Sequence, residues 1–305
     1  MFETSDGQKI AEFQNVKIGG EKGEYPLVLI GSIFYRGHKI VKDDRSGEFD
    51  KQQAESEINE FLEFSDKTKI PVIIDVVGAY QEPLADWCEY IGNSVDVPFL
   101  VDGMTDDSRI HAFKRMAEIG LLDRAIYNSI ETSTNDEKLI QLKEIGVKNA
   151  VILCFDSRAL TPEKKIKLLE GTPDKPGLIE KVAKAGIKDY IVDVAVLDIP
   201  SLSLAAETIR AVKRDLKLPV GCAPINALAE WENRKLFGKT GNIVNTAAMT
   251  AYIAEAGANF IMYGSINKAL HCFPGIALTD SINSYFRKRY LKKENHPSGF
   301  QSFLR

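Results

Sequence analysis

Eight short apolar runs, each followed by a helical pattern, constrain the fold of this 305-residue chain more than any other feature. The run at residues 189–198 is nearly continuous in aliphatic side chains and ends in a carboxylate, which is typical of a strand buried on both faces. The other seven repeat this pattern. The predicted strands span residues 27–33, 70–75, 98–102, 124–128, 150–155, 189–198, 218–222 and 259–264.

Helical periodicity between these runs completes a repeating strand–helix unit. Gly120, Gly146, Gly186 and Gly257 stand where helix C-caps should precede strands. The alternation predicts an α/β fold of the (β/α)8 TIM-barrel type, with a doubly wound open sheet as the main competitor. The predicted helices cover residues 50–64, 83–91, 107–119, 136–145, a segment ending at 185, 204–215, stretches on both sides of 238–241, and 275–291.

The chain length is compatible with a single barrel domain over residues 1–305. Residues 1–26 alternate weakly and then turn at Gly19-Gly20, which indicates a short N-terminal hairpin that could close the bottom of the barrel. Residues 275–305 are predicted to form a C-terminal helix and tail.

Composition excludes several classes of partner. The formal net charge is -4 and the pI is about 5.7, so no overall positive field favours nucleic acid or anionic membranes. The four cysteines are widely spaced, the N-terminus lacks signal-peptide features, and no apolar run is long enough to span a bilayer. These features predict a cytoplasmic protein.

Carboxylates and amides stand where the predicted strands end. Asp75, Asp102, Asn128, Asp193 and Asn226 all lie at or just after the carboxyl end of an apolar run, where TIM barrels carry their functional groups. A carboxylate can accept two parallel N–H bonds, and a carboxamide can donate and accept at once. This set suits a flat heterocycle with an amidine-like edge, such as a pterin.

Other interpretations of the same residues remain open. Each polar side chain could cap a helix or bind loop backbone. Asp75, Asp102 and Asp156 could instead gather a divalent cation, as in a metal-dependent TIM-barrel enzyme. Thiolates could hold zinc at strand ends, although buried inert cysteines are the simpler interpretation. The cysteines concerned are Cys154, Cys222 and Cys272.

Lysine chemistry has little support in the sequence. Lys268 is the only lysine that we predict close to the carboxyl end of a strand. A lysine-type aldolase is therefore disfavoured.

Four segments resemble the H-subunit family of tetrahydromethanopterin S-methyltransferase. They are GEYPLVLIGSIFY at 23–35, HKIV at 38–41, DRAIYNSI at 123–130 and NALAEW at 226–231. The resemblance covers nearly the whole chain. It is strongest to the bacterial methylcobalamin:tetrahydrofolate methyltransferases of glycine betaine demethylation, within the wider pterin-binding barrel superfamily.

The resemblance implies roles for individual residues. Asp102, Asn128 and Asp193 would hold the 2-amino group, N3-H and neighbouring ring positions of a pterin, with Asp75 as a supporting acid. Asn226 would lie close to the pterin N5, although the residues that flank it differ from the pattern in corrinoid methyltransferases. The pterin-binding candidates are thus all five residues, and Asn226 and Asp102 are the catalytic candidates.

The resemblance also implies a reaction and its partners. Tetrahydrofolate N5 would attack the methyl group of methylcob(III)alamin in an SN2-like step, giving 5-methyltetrahydrofolate. The cobalamin would arrive on a partner corrinoid protein that docks over the barrel mouth, with the loops at 36–47 and 158–177 as candidate surfaces. Relatives suggest a homodimer.

Two other functions are open at this stage. The chain could be the pterin-binding subunit of a larger methyltransferase complex that uses tetrahydromethanopterin. It could also be a pterin-dependent condensing enzyme on the same barrel, which would need a pyrophosphate pocket that we do not find in the sequence.

Overall fold

A small antiparallel sheet precedes the main fold in the computed structural model, which describes residues 3–5 and 7–295. The predicted hairpin is present and gains a third strand. Its tight turn lies at Gln14 and Asn15, not at Gly19-Gly20, and Gln14 adopts a φ of 53°. The strands are β1 (Glu3–Ser5), β2 (Gln8–Phe13) and β3 (Val16–Gly19).

Eight parallel strands then form a closed barrel, which confirms the predicted fold class. Each strand pairs with the next along the chain, and the last pairs with the first, so the open-sheet alternative is wrong. The barrel strands are β4 (Val28–Ile33), β5 (Val72–Gly78), β6 (Phe99–Gly103), β7 (Ala125–Ile130), β8 (Asn149–Leu153), β9 (Asp189–Asp193), β10 (Val220–Cys222) and β11 (Phe260–Ser265).

Helices connect these strands and cover the outside of the barrel. They begin at capping side chains in several units, as at Asp50, Thr105 and Asn135, whose oxygens each accept a backbone N–H of the first turn. The helices are α1 (Lys51–Thr68), α2 (Gln81–Ser94), α3 (Asp106–Glu118), α4 (Asp136–Ile145), α5 (Pro162–Glu170), α6 (Leu178–Lys184), α7 (Ile199–Ala211), α8 (Ile225–Glu230), α9 (Gly238–Glu255) and α10 (Ala269–Arg289).

The N-terminal sheet closes the amino end of the barrel. Its apolar side chains, among them Phe13 and Ile18, pack into one cluster with the inward-facing residues of the barrel strands. The Glu12 amide donates to Asp189 Oδ1 at the start of β9, over 3.1 Å. With the bottom filled in this way, the open end of the barrel is the one at the carboxyl ends of the strands.

The helices differ most from the sequence-based prediction in four places. The structure adds α5, with Pro162 in its first turn, where the prediction had only a long connection. Helix α7 begins at Ile199 because Asp198 caps it, and Asp198 therefore does not continue the sixth strand. Helix α9 begins at Gly238 and includes Gly241, so the break between the two helical stretches falls before Gly238. Helix α10 begins six residues before the predicted start and carries Pro274 within it.

The glycine predictions hold. Gly146 and Gly257 follow helices with φ of 87° and 101°, the left-handed conformation that a C-terminal cap requires.

The predicted tail at 296–305 lies outside the described residues, as do residues 1, 2 and 6 of the N-terminal segment.

Candidate functional site

A pocket of about 600 Å³ opens at the carboxyl ends of the barrel strands. This volume is in the range of small-molecule sites. Parallel strands place their carboxyl ends on one side of the barrel, so residues far apart in sequence meet there. All five predicted residues line the pocket, namely Asp75, Asp102, Asn128, Asp193 and Asn226.

Asp75 of β5 keeps one oxygen without a partner. It stands opposite Ser32 of β4 in the strand register, and the Ser32 hydroxyl donates to Asp75 Oδ2 over 2.7 Å. Asp75 Oδ1 is buried and accepts no hydrogen bond from the described residues. Burial raises the pKa of Asp75 to about 6, while the hydrogen bond from the Ser32 hydroxyl opposes the rise. An unpaired buried acceptor calls for a donor from a ligand.

Asp102 and Asn128 are direct neighbours across β6 and β7. Burial raises the pKa of Asp102 well above its ordinary value, and the negative charge of Asp75 raises it further, whereas Arg109 lowers it. Asp102 therefore keeps its proton to a higher pH than an exposed aspartate does. A protonated carboxyl can donate as well as accept, so this pair can present both donors and acceptors to a ligand.

Asp193 ends β9 and is 7% exposed. The Ala195 amide donates to its Oδ1 over 2.8 Å. Burial raises the pKa of Asp193 to about 6, and the Ala195 amide and the Lys165 ammonium oppose the rise. Asp193 is thus mostly ionised at neutral pH, which makes it the acceptor suited to two parallel N–H donors.

Asn226 follows β10, the strand that pairs with β9, and lies in the first turn of the short helix α8. Its side chain is exposed and makes no hydrogen bond with the described part of the chain. Its amide is therefore available to a ligand that enters the pocket.

Arg109 of α3 is a pocket residue that the sequence analysis missed. Its Nη1 donates to the Asn128 carbonyl over 2.9 Å and to Glu131 Oε1 over 3.1 Å, and its Nη2 donates to Asp106 Oδ1 over 3.0 Å. The guanidinium thereby fixes the end of β7 and offsets part of the negative charge of the pocket. Arg109 lies inside a helix, so an inventory of strand ends could not include it.

The family assignment follows from comparison with known proteins. The model of the family described as "Tetrahydromethanopterin S-methyltransferase MtrH subunit" matches residues 6–294. The chain belongs to the MtrH family. The H subunit of tetrahydromethanopterin S-methyltransferase from Methanothermobacter thermautotrophicus is 36% identical over 97% of this chain and 98% of the relative. The corresponding protein from Methanocaldococcus jannaschii is 36% identical over 92% and 93%.

Solved structures support the barrel assignment of this MtrH-family chain. A dihydropteroate synthase from Xanthomonas albilineans, in complex with 7,8-dihydropteroate, has a TM-score of 0.61 at 14% identity, over 90% of this chain and 98% of that one. DHPS from Yersinia pestis, with a pterine-sulfa conjugate, has a TM-score of 0.60 at 13% identity, over 90% and 99%. At such low identity the likeness shows the fold, and the MtrH match identifies the family as one of methyltransferase subunits.

The residues proposed for a metal do not meet in this MtrH-family member. Asp156 lines a separate cleft, where its Oδ1 lies 3.4 Å from Arg158 Nε. Within residues 3–5 and 7–295, no three His, Cys, Asp or Glu side chains are grouped to hold a metal ion. The thiols considered for zinc are buried, and burial raises their pKa, to about 12 for Cys154 and Cys272.

Two lysines stand near the strand ends, not one. Lys268 lines the pocket, as its sequence position predicted. Lys165 of α5 also reaches the end of β9, where its ammonium donates to the Val194 carbonyl. The sequence analysis missed Lys165 because it did not predict α5.

The loop after β4 is held by a buried histidine. His38 Nδ1 accepts the Phe34 amide over 3.2 Å, and His38 Nε2 lies 2.9 Å from Glu57 Oε2 on α1. Burial lowers the pKa of His38, and the Glu57 carboxylate opposes this. The Tyr35 ring stacks on the imidazole, and its hydroxyl donates to Ser265 Oγ over 2.8 Å at the pocket wall. His38 therefore positions the loop.

No helix in the described ranges combines the length and apolar character that a bilayer span needs.

Proposed function

We propose that this chain transfers a methyl group between N5 of a reduced pterin and a corrinoid carried by a partner protein. The observation that carries the proposal is the convergence of the buried Asp75 and Asp193, the half-buried Asp102 and two amides in one pocket of an MtrH-family barrel. The corrinoid supplies a reactive methyl group on cobalt. The pocket binds and orients the pterin that exchanges this group.

The pterin edge fits the hydrogen-bonding capacity of the pocket. In the proposed complex, ionised Asp193 accepts the 2-amino group and N3-H in parallel, and Asp75 Oδ1 gains the donor that it lacks. Asp102, whose protonated form is favoured, and Asn128 bind the acceptor positions of the ring.

Asn226 is the group that we propose to act at N5. Its amide is free to accept a hydrogen bond from N5-H or to stabilise charge that develops on N5 during transfer. A positioned neutral amide suffices for this role, because the pterin nitrogen and the methyl carbon are the reacting atoms.

The names of the relatives favour tetrahydromethanopterin as the pterin. Tetrahydromethanopterin is the substrate in the alternative function, that of a pterin-binding subunit of a larger methyltransferase complex. The prediction of tetrahydrofolate depends only on the resemblance to bacterial members of the family. The proposed contacts involve the ring that both pterins share. Tetrahydromethanopterin is therefore the first candidate, and tetrahydrofolate is tested beside it.

The corrinoid is proposed to remain on its own protein. A pocket of about 600 Å³ cannot enclose a corrinoid together with a pterin. Met104 lines the pocket and is 78% exposed, so it offers an apolar contact to a partner that covers the mouth. Such a chain would work as one subunit of a larger methyltransferase assembly.

We also propose that α10 joins two copies of the chain. This helix exposes a row of large apolar side chains on its outer face, and contiguous apolar patches of this kind mark interaction sites. Two-fold homodimers are the commonest soluble assembly. The exposed side chains are Leu270, Leu278, Ile282, Tyr285 and Phe286, with Tyr290 directly after the helix.

A calorimetric titration followed by a spectral assay tests the proposal. The purified chain is titrated with tetrahydromethanopterin and with tetrahydrofolate, and methylcobalamin is then added to the same sample. Binding with pterin-dependent loss of the methylcobalamin spectrum is the expected result.

Other outcomes of this experiment separate the alternatives. Binding without turnover would show that the chain needs its partner subunits to react. Failure of both pterins to bind would overturn the proposal, and Mg²⁺ binding in that case would favour the metal-dependent barrel.

A further inference from the structure

A second cavity of about 240 Å³ lies beside the barrel mouth. It is formed by the segment after β8, by α5 and α6, and by the small antiparallel ribbon of Gly171–Thr172 and Lys175–Pro176. Five cationic side chains line this basic cleft. They are Arg158, Lys164, Lys167, Lys175 and Lys181.

Few ion pairs involve the cationic side chains of the basic cleft. Asp156 is the one carboxylate in its lining, and it pairs with Arg158. No ion pair involves Lys164, Lys167 or Lys175 in the described part of the chain. This concentration of positive charge stands in a chain whose formal net charge is -4, so it is a local feature that attracts anions.

A tight antiparallel ribbon, Gly171–Thr172 with Lys175–Pro176, forms part of the basic cleft. Gly171 has a φ of +88°, and a Cβ on it would come within 2.5 Å of the Gly177 amide nitrogen. Glycine therefore allows the turn that carries Lys175 over the cavity. Leu168 and Leu178 contribute apolar surface below the cations. The cleft thus offers apolar contact beneath a charged rim.

One loop links the basic cleft to the pocket. Glu131 lines the pocket, and the next residue, Thr132, lines the cleft. The Lys181 ammonium donates to the carbonyls of Glu131, Thr132 and Thr134 over 3.1, 2.7 and 2.6 Å. A ligand whose ring occupies the pocket can therefore extend across this loop into the cleft.

We propose that the basic cleft binds the anionic tail of the pterin substrate. This inference rests on the proposed function, because the tail is attached to the ring that the pocket holds. Tetrahydrofolate polyglutamates carry carboxylates on the tail, and tetrahydromethanopterin carries a phosphate and carboxylates. Either tail has an apolar or uncharged part near the ring and anionic groups beyond it. With the ring in the pocket, the uncharged part would cross the loop and the anionic groups would reach the cations of the basic cleft.

Calorimetry with tailed and tail-less pterins tests this assignment. Wild type and the double variant Lys167→Gln/Lys175→Gln are titrated at low salt with tetrahydrofolate triglutamate, tetrahydromethanopterin and 6-methyltetrahydropterin. We expect the double variant to bind at least one tailed pterin about tenfold more weakly and to bind 6-methyltetrahydropterin within about twofold of wild type. The tailed pterin that loses more affinity identifies the natural tail.

The matched control is Lys51→Gln/Lys114→Gln. It removes the same charge from exposed helix positions that line neither cavity. This control should bind all three pterins within about twofold of wild type. An equal loss in both double variants would mean that net charge alone attracts the tail, and it would overturn the proposal.

The remaining outcomes distinguish this inference from the proposed function. Binding of 6-methyltetrahydropterin with unchanged affinity of the Lys167→Gln/Lys175→Gln variant for tailed pterins would support the function and overturn the tail site. If that variant lost only methyl transfer from an intact corrinoid protein, the cleft would be a docking surface instead. If no pterin bound, NMR titration with p-aminobenzoyl-triglutamate would test the cleft separately. Binding to wild type that is lost in the Lys167→Gln/Lys175→Gln variant would support an anion site in the cleft. No binding to wild type would reject such a site.

Discussion

At the scale of single residues, the pocket raises the pKa of three chemically identical side chains to different extents. Asp75 and Asp193 have pKa values of about 6, whereas the pKa of Asp102 is raised well beyond its ordinary range. Burial is the main cause in each case, and Asp102 also lies among other carboxylates. Carboxyls in different states can serve as acceptors and as donors to one heterocycle.

Replacement of Asp193 or Asp102 by asparagine should therefore lower pterin affinity by different amounts. Asp193→Asn should weaken pterin binding by about 2 kcal/mol, since it removes the charged acceptor of two N–H groups. Asp102→Asn should cost less than about 1 kcal/mol, because this side chain is already held towards its neutral form. Calorimetry on both variants measures the difference. A larger loss for Asp102→Asn would contradict the assigned states.

Pterin affinity should depend on pH through Asp75 and Asp193. Their carboxylates are the forms that accept N–H donors, and protonation below their pKa of about 6 removes them. Affinity at pH 5 should be at least about tenfold lower than at pH 7. Calorimetry at the two pH values tests this, and the Asp75→Asn/Asp193→Asn variant should show a flatter profile.

Asp75 and Asp193 also make the stability of the ligand-free chain depend on pH, but in the direction opposite to that of pterin affinity. Their folded pKa values exceed the value of about 3.9 for an exposed aspartate, so the folded state binds more protons than the unfolded state between about pH 4 and 6. Their contribution to the free energy of unfolding is therefore full below pH 4 and is lost as the pH rises through 6.

Asn226→Ala should reduce the rate of transfer more than it reduces pterin affinity. The residue is exposed in the free protein, so its loss leaves no buried group unpaired. We expect single-turnover transfer from methylcobalamin to slow by about tenfold to a hundredfold, with the dissociation constant of the pterin within about threefold of wild type. Equal losses in rate and affinity would show that Asn226 acts in binding alone.

At the scale of elements, loops and helices hold the pocket wall in place. The loop after β4 is fixed to α1 through the hydrogen bond between His38 and Glu57, and it presents Tyr35 to Ser265 on β11. A buried polar pair of this kind is costly to break, because the remaining partner loses its hydrogen bond without regaining water.

Glu57→Ala should lower the free energy of unfolding by about 1 to 3 kcal/mol. The change leaves His38 Nε2 buried without its partner. Urea denaturation measures the effect, and Glu55→Ala, at an exposed position of the same helix, provides the control with a change within about 0.5 kcal/mol. Equal stability of the two variants would show that the pair does not hold the loop.

At the scale of the whole molecule, the barrel has one plugged end and one open end. The N-terminal sheet fills the amino end, which leaves the mouth to the substrate and to the corrinoid partner. The outer face of α10 lies apart from the mouth lining and is free for a second copy in the proposed dimer.

The proposed dimer makes a prediction about α10. Size-exclusion chromatography with light scattering should give the mass of two chains for wild type and the mass of one chain for Ile282→Glu. The substitution should break the dimer because it would bury an unpaired carboxylate at the interface. Ile282 is 57% exposed in the single chain, so the substitution should leave the fold intact. Lys114→Glu on α3 is the control, and a monomeric wild type would reject the proposal.

Sequence patterns predicted the barrel well because its strands are buried on both faces and its helices end at glycines. Predictions were weaker where local and tertiary signals compete. Asp198 continues an apolar run in sequence, yet it caps α7. The last helix was predicted to begin at residue 275, directly after Pro274, yet α10 continues through this proline because neighbouring elements pack around its buried face.

The amino-acid sequence was enough to predict the fold class, the order of strands and helices, and the five polar residues at the strand ends, because these depend on periodicity along the chain. The three-dimensional structure was needed to show which of these groups are buried or unpaired, and it added Arg109 and the basic cleft. Burial and the field of neighbouring charges arise between elements distant in sequence. The pairing of Asp102 with Asn128 depends on strand register, which closure of the barrel imposes.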